Sequence, residues 1–281
     1  GTGTGGRIQA ADVEAYVASL KAATAAAEPA PRVSAASDAV GTPLMASVSA
    51  SSAPVPVAQE DGIARRIPFN NMRRIIARNL QKSAQEAPHI YFQAEVDMSE
   101  ANTLVAYANA NAPEGVKVTL TALITRAVAW TLRRHPLINS HLNGEEILVM
   151  SHVNIGIAVA LPNGLITPVL RNADEFSLTG IASRARELIA RTRDNKLKPD
   201  EIQGGTFTLS NLGVVKQIDH FTAIINPPQV GILAIGAVKE RPVVVNGGLH
   251  IRTTAFLTVS ADHRIVDGLV SARFVEAFDK H

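Results

Sequence analysis

The stretch LTVSADHRIVDGLV holds a group of side chains that can carry out acid–base chemistry. An apolar, β-branched run ends at Asp262, and His263, Arg264 and Asp267 follow it directly. Histidine is the side chain whose unperturbed pKa lies nearest to neutral, so at the end of a strand it can serve as a general base. The alternative is a structural histidine tied to Asp262 or Asp267, and this stretch alone leaves both interpretations open.

A second stretch, GGTFTLSNLG, places Ser210 at the end of another predicted strand, among Gly204, Gly205 and Gly213. A hydroxyl in that position can donate a hydrogen bond to a developing oxyanion. It can also be the nucleophile of a Ser/His/Asp hydrolase, or a turn serine that satisfies the local backbone. The sequence lacks the G-x-S-x-G elbow on which many such nucleophiles sit, and this disfavours the hydrolase.

Composition excludes several other classes. The chain has no cysteine, so disulfides, thiolate metal sites and a cysteine nucleophile are absent. The histidines show no H-E-x-x-H or similar spacing, which predicts no metal site. The net charge is only +2 and no basic run is interleaved with aromatics, which predicts no nucleic-acid partner. No apolar run approaches the ~20 residues of a membrane helix, and GTGTGG lacks the preceding strand of a dinucleotide site.

The pattern along the chain predicts three regions. Residues 1–20 form a glycine-rich turn and a short helix, residues 21–62 an Ala/Pro/Ser-rich linker, and residues 63–281 a single domain. Strands and helices alternate without a strict βαβ order, so the expected fold is α/β or α+β with a large mixed sheet and flanking helices. Helices are predicted at 71–86, from 99, at 121–134, at 178–194 and from 268, and strands at 89–97, 146–150, 153–161, 165–170, 205–210, 230–238 and 251–260.

Several of these motifs, in this order, resemble one family. ADHRIVDG is similar to the H-x-x-x-D-G signature of the catalytic domain of dihydrolipoamide acyltransferases, the E2 components of 2-oxo acid dehydrogenase complexes. That domain is related in fold to chloramphenicol acetyltransferase. The resemblance extends to MRRIIARNL, the Pro-His pair at 88–89, GLITPVLRNAD, GTFTLSNLG and AIINPPQVGILAIG. GTGTGGRIQAADVEAYV resembles the second half of a peripheral subunit-binding domain.

The resemblance implies a role for each candidate residue. His263 is the general base that removes a proton from a thiol, and Ser210 donates a hydrogen bond to the tetrahedral oxyanion. Asp267 holds the local loop by pairing with an arginine. Residues expected to contact coenzyme A are Arg73, Arg74 and Asn211, with an exposed helix face as the alternative for the two arginines.

The resemblance also implies substrates and partners. SNLG and DHFTAIINPPQ favour transfer of an acetyl group to coenzyme A in a pyruvate dehydrogenase complex. The lipoyl group that carries the acetyl group lies on a domain absent from this chain. The alternatives are transfer of succinyl or branched-chain acyl groups, a free-standing acetyltransferase, and a mainly structural tethering subunit. A structural subunit would not need both His263 and Ser210.

Trimers that assemble into a large core are expected, with a histidine and a serine from neighbouring subunits in each active site. The E1 decarboxylase and the E3 dihydrolipoamide dehydrogenase are expected to bind through residues 1–20, although the first helix of that domain is missing. The C-terminal helix is expected to stop short of its usual end. The expected location is the cytoplasm of a bacterium, which we favour, or the mitochondrial matrix or plastid stroma of a eukaryote.

Overall fold

The structure of the chain, a computed structural model, describes residues 63–162 and 164–280. The predicted subunit-binding segment (1–20) and the predicted linker (21–62) lie outside the described residues. The remainder, Arg65–His281, forms one compact unit. None of the helices described in it is both long and apolar enough to cross a bilayer.

Three of the described helices begin directly after a capping side chain. Asn70, Thr119 and Ser177 each accept a hydrogen bond from a backbone N–H of the first helical turn that follows. Such a cap satisfies an N–H group that has no partner inside the helix. The α-helices of the described residues are α1 (Asn71–Glu86), α2 (Ser99–Ala110), α3 (Leu120–Leu132), α4 (Leu178–Arg193) and α5 (Gly268–Lys280), with short 3-10 turns at Ala173–Glu175 and Pro199–Ile202.

The strands form one large sheet and two hairpins. The strands are β1 (His89–Asp97), β2 (Ser140–Asn143), β3 (Glu146–Val149), β4 (Ile155–Ile157), β5 (Val159–Leu161), β6 (Gly164–Ile166), β7 (Val169–Leu170), β8 (Phe207–Asn211), β9 (Gly231–Ile235), β10 (Lys239–Val245) and β11 (Gly248–Asp262). The order in the sheet is β1-β11-β9-β8-β4-β7, and β10 also pairs with β11. β2 pairs with β3, and β5 with β6. The predicted mixed sheet with flanking helices is therefore confirmed.

Strand direction differs across this sheet. β8 runs parallel to both of its neighbours, β4 and β9, whereas β11 runs antiparallel to β9 and to β1. The C-terminal ends of β8 and β11 consequently lie at opposite ends of the sheet along the strand direction. This geometry decides where the two candidate residues lie.

The longest strand, β11, passes through the middle of the core. Ala255, Leu257, Val259 and Ala261 are all buried and belong to the main hydrophobic cluster. The helices α3 and α5 pack against one another, and α5 also contacts β1 and β11. β11 is paired with a strand on each side, and one of its faces is buried in the core. These contacts fix the register of β11, because a slip of one residue would exchange its two faces.

Some predicted strands differ from the observed ones. The predicted strand 153–161 is divided after Ile157, because β4 pairs with β7 and β8 in the large sheet, whereas β5 pairs with β6 in a separate hairpin. The predicted strand 251–260 is longer, because β10, which was missed, forms a hairpin with it. Asn246 and Gly247 at its tip both have positive φ, 51° and 79°, as a two-residue hairpin turn requires.

One close approach in the fold requires glycine. Gly236 follows β9, and a Cβ atom there would overlap the backbone carbonyl of Asp219. We expect Gly236→Ala to lower the free energy of unfolding by about 3 kcal/mol, at the upper end of overpacking costs, because backbone rather than a flexible side chain must move. Urea denaturation at fixed protomer concentration measures the loss. Gly268→Ala, whose Cβ would meet nothing within 4 Å, is the control. Equal losses in the two variants would contradict the prediction.

Candidate active site

His263 is the first residue of a tight turn between β11 and α5. Its backbone N–H donates to the Pro88 carbonyl at 2.8 Å, and the Asp262 N–H donates to the Val230 carbonyl at 2.9 Å. Val266, which closes the turn, is fully buried. The backbone of His263 is thus fixed from two sides, whereas its side chain is exposed and makes no hydrogen bond within the described residues.

The charged residues on either side of His263 pair with each other. The Arg264 guanidinium binds both carboxylate oxygens of Asp262, from Nε to Oδ1 at 3.0 Å and from Nη2 to Oδ2 at 2.6 Å. The Asp262 side chain is only 4% exposed. Its hydrogen bonds raise the pKa of the Arg264 guanidinium above the usual value, and the nearby Glu86 carboxylate adds to this. The bidentate pair closes the turn beneath the imidazole.

Asp267 caps the helix that follows. Its Oδ1 accepts a hydrogen bond from the Val270 N–H at 2.9 Å, the arrangement of a helix N-cap. Asp267 was predicted to pair with an arginine, and within a single chain it does not. The arginine of this turn, Arg264, binds Asp262 instead. The sequence contained a usable signal. Asp262 alternates with Thr258 and Ser260, both buried, and a buried carboxylate needs a cation more than an exposed one does.

The histidine is therefore not held by either carboxylate. Asp262 is occupied by Arg264, and Asp267 by the start of α5. The structural alternative, in which one of these aspartates ties down the imidazole, has no support in the geometry. What remains is an exposed ring on a rigid backbone, which is the arrangement that a base acting on an external substrate requires.

Ser210 lies one residue before the end of β8 and is half-buried. The strand pairings place it in a row with Ala234, Thr258 and Gln93, so these side chains share one face of the sheet. Gln93 donates to the Thr258 hydroxyl at 3.2 Å, whereas the Ser210 hydroxyl makes no hydrogen bond within the described residues. The hydroxyl is available as a donor.

Asn211, the next residue, uses its side chain inside the fold. Its Nδ2 donates to the Thr121 hydroxyl at 2.9 Å, and its Oδ1 accepts from the Gly213 N–H at 2.7 Å. The side chain therefore joins β8 to the start of α3 and closes the turn after Ser210. The contact to coenzyme A predicted for Asn211 stays a prediction.

Arg73 and Arg74 lie in the first turn of α1. Both side chains are exposed, and neither takes part in an ion pair within the described residues. They are accessible to an anionic ligand, as the sequence prediction requires, but the exposed-face alternative fits equally well. Their role at a nucleotide stays a prediction.

A single chain does not bring His263 and Ser210 together. Ser210 is level with Thr258 on β11, and the strand runs on for four more residues before Asp262 ends it. At ~3.3 Å per residue along β11 and ~4.8 Å for each of two strand spacings, the Cα atoms of Ser210 and Asp262 lie about 16 Å apart. That separation exceeds what the two side chains span together.

The described part of the chain contains no candidate metal site. No three His, Cys, Asp or Glu side chains there come together as metal ligands. Two further histidines are packed into the fold, and burial lowers the pKa of His135 and of His141. The exposed ring of His263 differs from both.

The sequence and the fold of this chain define a known class of protein, the acyltransferase catalytic domain of 2-oxoacid dehydrogenases. Residues 61–281 match the model of the 2-oxoacid dehydrogenases acyltransferase (catalytic domain). The chain is 38% identical over 282 residues to the dihydrolipoyllysine-residue acetyltransferase component of the pyruvate dehydrogenase complex of Zymomonas mobilis, covering 100% of this chain and 59% of that relative.

Two solved structures have the same fold. One is the cubic core of the pyruvate dehydrogenase multienzyme complex. The other was determined to investigate a serine, a histidine and an asparagine in the catalytic mechanism of the Azotobacter vinelandii dihydrolipoamide acetyltransferase. Each superposes with a TM-score of 0.74 and 33% identity, covering 80% of this chain and 96% of the structure. The chain belongs to the 2-oxoacid dehydrogenase acyltransferase family, although it spans only 59% of the Zymomonas relative.

Because the Asp262 carboxylate is buried, the contribution of the Asp262–Arg264 ion pair to the stability of the turn can be tested. Arg264→Ala leaves the carboxylate buried with fewer donors, so we expect the free energy of unfolding to fall by about 1.5–3 kcal/mol. Solvent at the outer side of the guanidinium, whose side chain is 39% exposed, keeps the loss below that of a fully buried pair.

The matched control is Arg252→Ala on β11, the strand that precedes the turn. Arg252 and Asp97 are 3.9 Å apart and both well exposed, so its loss should stay within about 1 kcal/mol. Urea titrations of both variants at equal protomer concentration give the comparison. A loss at Arg264 no larger than that at Arg252 would show that the pair does not hold the turn.

Proposed function

We propose that the chain transfers an acetyl group from S-acetyldihydrolipoamide to coenzyme A, as the core acyltransferase of a pyruvate dehydrogenase complex. The observation that carries the proposal is the free imidazole of His263 on a backbone fixed by the Pro88 carbonyl. Exchange of an acyl group between two thiols needs one base and one oxyanion donor, and no covalent intermediate on the protein. The available side chains fit that requirement.

His263 acts on the proton of the thiol. A thiol with an ordinary pKa of about 8.5 gives up its proton to a neutral imidazole at small cost. The sulfur then attacks the carbonyl carbon of the thioester, and the imidazolium returns the proton to the departing thiolate. The same imidazole takes up the proton and returns it, so neither Asp262 nor Asp267 has to change its protonation state.

Ser210 acts on the oxygen of the same carbonyl. When the carbon becomes tetrahedral, its oxygen gains negative charge, and a hydroxyl without an internal partner can turn its proton towards it. Asn211 supports this role indirectly, because its bonds to Thr121 and Gly213 hold the end of β8 in place. Ser210 is thus a donor, with no need to become acylated.

The names of the relatives support the acetyl group over larger acyl groups. The Zymomonas relative is an acetyltransferase component, and the Azotobacter structure is that of an acetyltransferase. In the Azotobacter protein the histidine and the asparagine are four positions apart, the same spacing as His263 and Asp267 here. An aspartate replaces the asparagine in this chain, and its bond to the Val270 N–H assigns it to the helix start.

The distance between Ser210 and His263 supports a site shared by two chains. The Cα atoms of Ser210 and Asp262 lie about 16 Å apart within one chain, so a histidine from one chain would meet a serine from its neighbour. Large apolar side chains are exposed at Ile67, Phe69 and Ile75, 70%, 56% and 59% respectively, as expected of a surface that another copy covers. A closed ring of three chains gives each site one of each residue.

The remaining partners follow from the family. The proposal includes a lipoyl group brought by a separate domain, assembly of trimers into a larger core, and binding of the E1 decarboxylase and the E3 dihydrolipoamide dehydrogenase through residues 1–20. It also includes a location in the bacterial cytoplasm. The support is the resemblance to components of such complexes and the cubic core of one of them.

The acyl donor is tested by comparing free acetyl-, succinyl- and isobutyryl-dihydrolipoamide with coenzyme A as acceptor. We expect kcat/KM for the acetyl donor to exceed the other two by at least about tenfold, because larger acyl groups must fit where an acetyl group does. Formation of acetyl-, succinyl- or isobutyryl-coenzyme A is followed by chromatographic separation of the acyl-coenzyme A product from coenzyme A. A faster reaction with the succinyl or the branched donor would replace the acetyl assignment. No transfer from any donor by assembled protein would favour the tethering subunit.

The shared site is tested by mixing two inactive variants. His263→Ala should lower kcat by roughly two to four orders of magnitude, and Ser210→Ala by on the order of 10²–10³. The two variants are mixed in equal amounts, unfolded and refolded together. Each site draws its histidine and its serine from different chains, so about a quarter of the sites should regain both residues if assembly is random.

Each variant refolded alone is the control, and light scattering verifies that trimers form. Recovery near one quarter of wild-type activity supports the shared site. Activity no higher than that of the separate variants, with trimers present, is incompatible with it. An acyl-serine detected by mass spectrometry would instead make Ser210 a nucleophile.

A further inference from the structure

His89, at the start of β1, has both ring nitrogens engaged with backbone groups. Its Nδ1 lies 2.6 Å from the Ala87 carbonyl, and its Nε2 lies 3.0 Å from the Ile225 amide nitrogen. A carbonyl only accepts and a backbone N–H only donates, so Nδ1 carries the proton and Nε2 accepts. The bonds thus define one neutral tautomer of the ring.

The peptide bonded by His89 is held from a second side as well. The Ser83 hydroxyl, near the end of α1, donates to the Ile225 carbonyl at 2.6 Å, and Ile225 is only 1% exposed. One side chain from α1 and one from β1 therefore fix both polar groups of a single residue. We refer to Ser83, His89 and Ile225 as the 225 clamp.

The segment that follows the clamp leads to both edges of the active site. Gln229 accepts a hydrogen bond from the Thr208 hydroxyl at 2.6 Å, two residues before Ser210 on β8. The Val230 carbonyl accepts from the Asp262 N–H at 2.9 Å, at the end of β11. Displacement of Ile225 would therefore reach the end of the strand that bears the base.

A second path from His89 to the base is shorter still. The Pro88 carbonyl, adjacent to His89 in the chain, accepts from the His263 N–H at 2.8 Å. His89 is also the residue directly opposite Asp262 in the pairing of β1 with β11. The ring, bonded at Ala87 on one side and at Ile225 on the other, holds this piece of backbone in one orientation.

We propose that His89 is a positioning residue for His263, holding the Pro88 carbonyl and the 225 clamp so that the turn with the base keeps its place. The proposal deepens the proposed function and rests on it, because it takes His263 to be the base. His89 is proposed to touch neither substrate. A shift of about 1 Å at a reacting group costs on the order of 100-fold in rate, so small movements of this turn should be visible in kcat.

Two substitutions separate the bonds of the ring. Asparagine places an amide nitrogen near the position of Nδ1, so His89→Asn keeps a donor to Ala87 and loses the acceptor for Ile225. Glutamine is one carbon longer and brings its amide oxygen towards the position of Nε2, so His89→Gln keeps an acceptor for Ile225. The pair is matched in polarity and differs in the bond that the proposal needs.

The expected result is a split between the two variants. His89→Asn should lower kcat by roughly 10- to 100-fold, with KM for both substrates changed less than about threefold, and His89→Gln should recover most of the rate. Hydrogen–deuterium exchange at the peptide containing Ile225 provides a second measurement that does not depend on activity. The Ile225 amide should exchange faster in His89→Asn and close to the wild-type rate in His89→Gln.

Ser83→Ala covers the case in which His89→Asn does not assemble. It removes the other side of the 225 clamp and leaves His89 intact. A fall in kcat of a few-fold with faster exchange at the peptide containing Ile225 is expected, because the second anchor remains. Unchanged kcat together with unchanged exchange in Ser83→Ala would overturn the clamp by itself.

The outcomes separate this proposal from the proposed function. Wild type and His263→Ala are assayed first with acetyl-dihydrolipoamide and coenzyme A. If wild type is inactive, or if His263→Ala retains its rate, the proposed function fails and the positioning of a base fails with it. If His263→Ala alone is inactive and both His89 variants match wild type, only the positioning role is wrong. Equal losses in both His89 variants with unchanged exchange would mean that the ring acts in another way.

Discussion

The antiparallel pairing of β11 with a neighbour on each side is the constraint on which the site depends. β1 is bonded along nine residue pairs on one side, and β9 along five on the other. Both ladders end at the same level, where the Asp262 N–H and the His263 N–H find carbonyl partners on the two flanking segments. A slip by one residue would turn Asp262 out of its buried position and carry His263 to the opposite face. The location of His263 is thus set by sheet register before any side chain of the turn is considered.

The same constraint separates the base from the hydroxyl. β8 joins the sheet in parallel with β9, so its carboxyl end lies at the edge opposite to that of β11. This strand order leaves Ser210 and His263 no way to meet within one chain. Each of these two strand ends carries one side chain, His263 or Ser210, that makes no hydrogen bond within the described residues.

Local sequence was sufficient to predict most of the helices and strands, but not which strands pair with one another. The limits of α1 and β1 were predicted correctly, because capping, the proline at residue 88 and strict alternation are all local signals. The prediction missed β2, β10 and the interruption after Ile157, because these features depend on which strands lie alongside. The arginine of the turn was expected at Asp267 and binds Asp262, since the choice depends on burial that only tertiary packing determines. The histidine and the serine were found from their motifs, but the distance between them required the sheet order.

The charges around His263 serve the geometry of the backbone. Arg264 neutralises the buried carboxylate of Asp262 at the end of β11. Asp267 accepts a hydrogen bond from a backbone N–H in the first turn of α5, which has no partner inside the helix. With both carboxylates committed, neither is free to orient the imidazole. Orientation must come from the backbone bonds at Pro88 and Val230, and beyond them from the groups that fix those carbonyls. Rigidity at His263 is therefore produced one layer behind it, by hydrogen bonds to the backbone of the flanking segments.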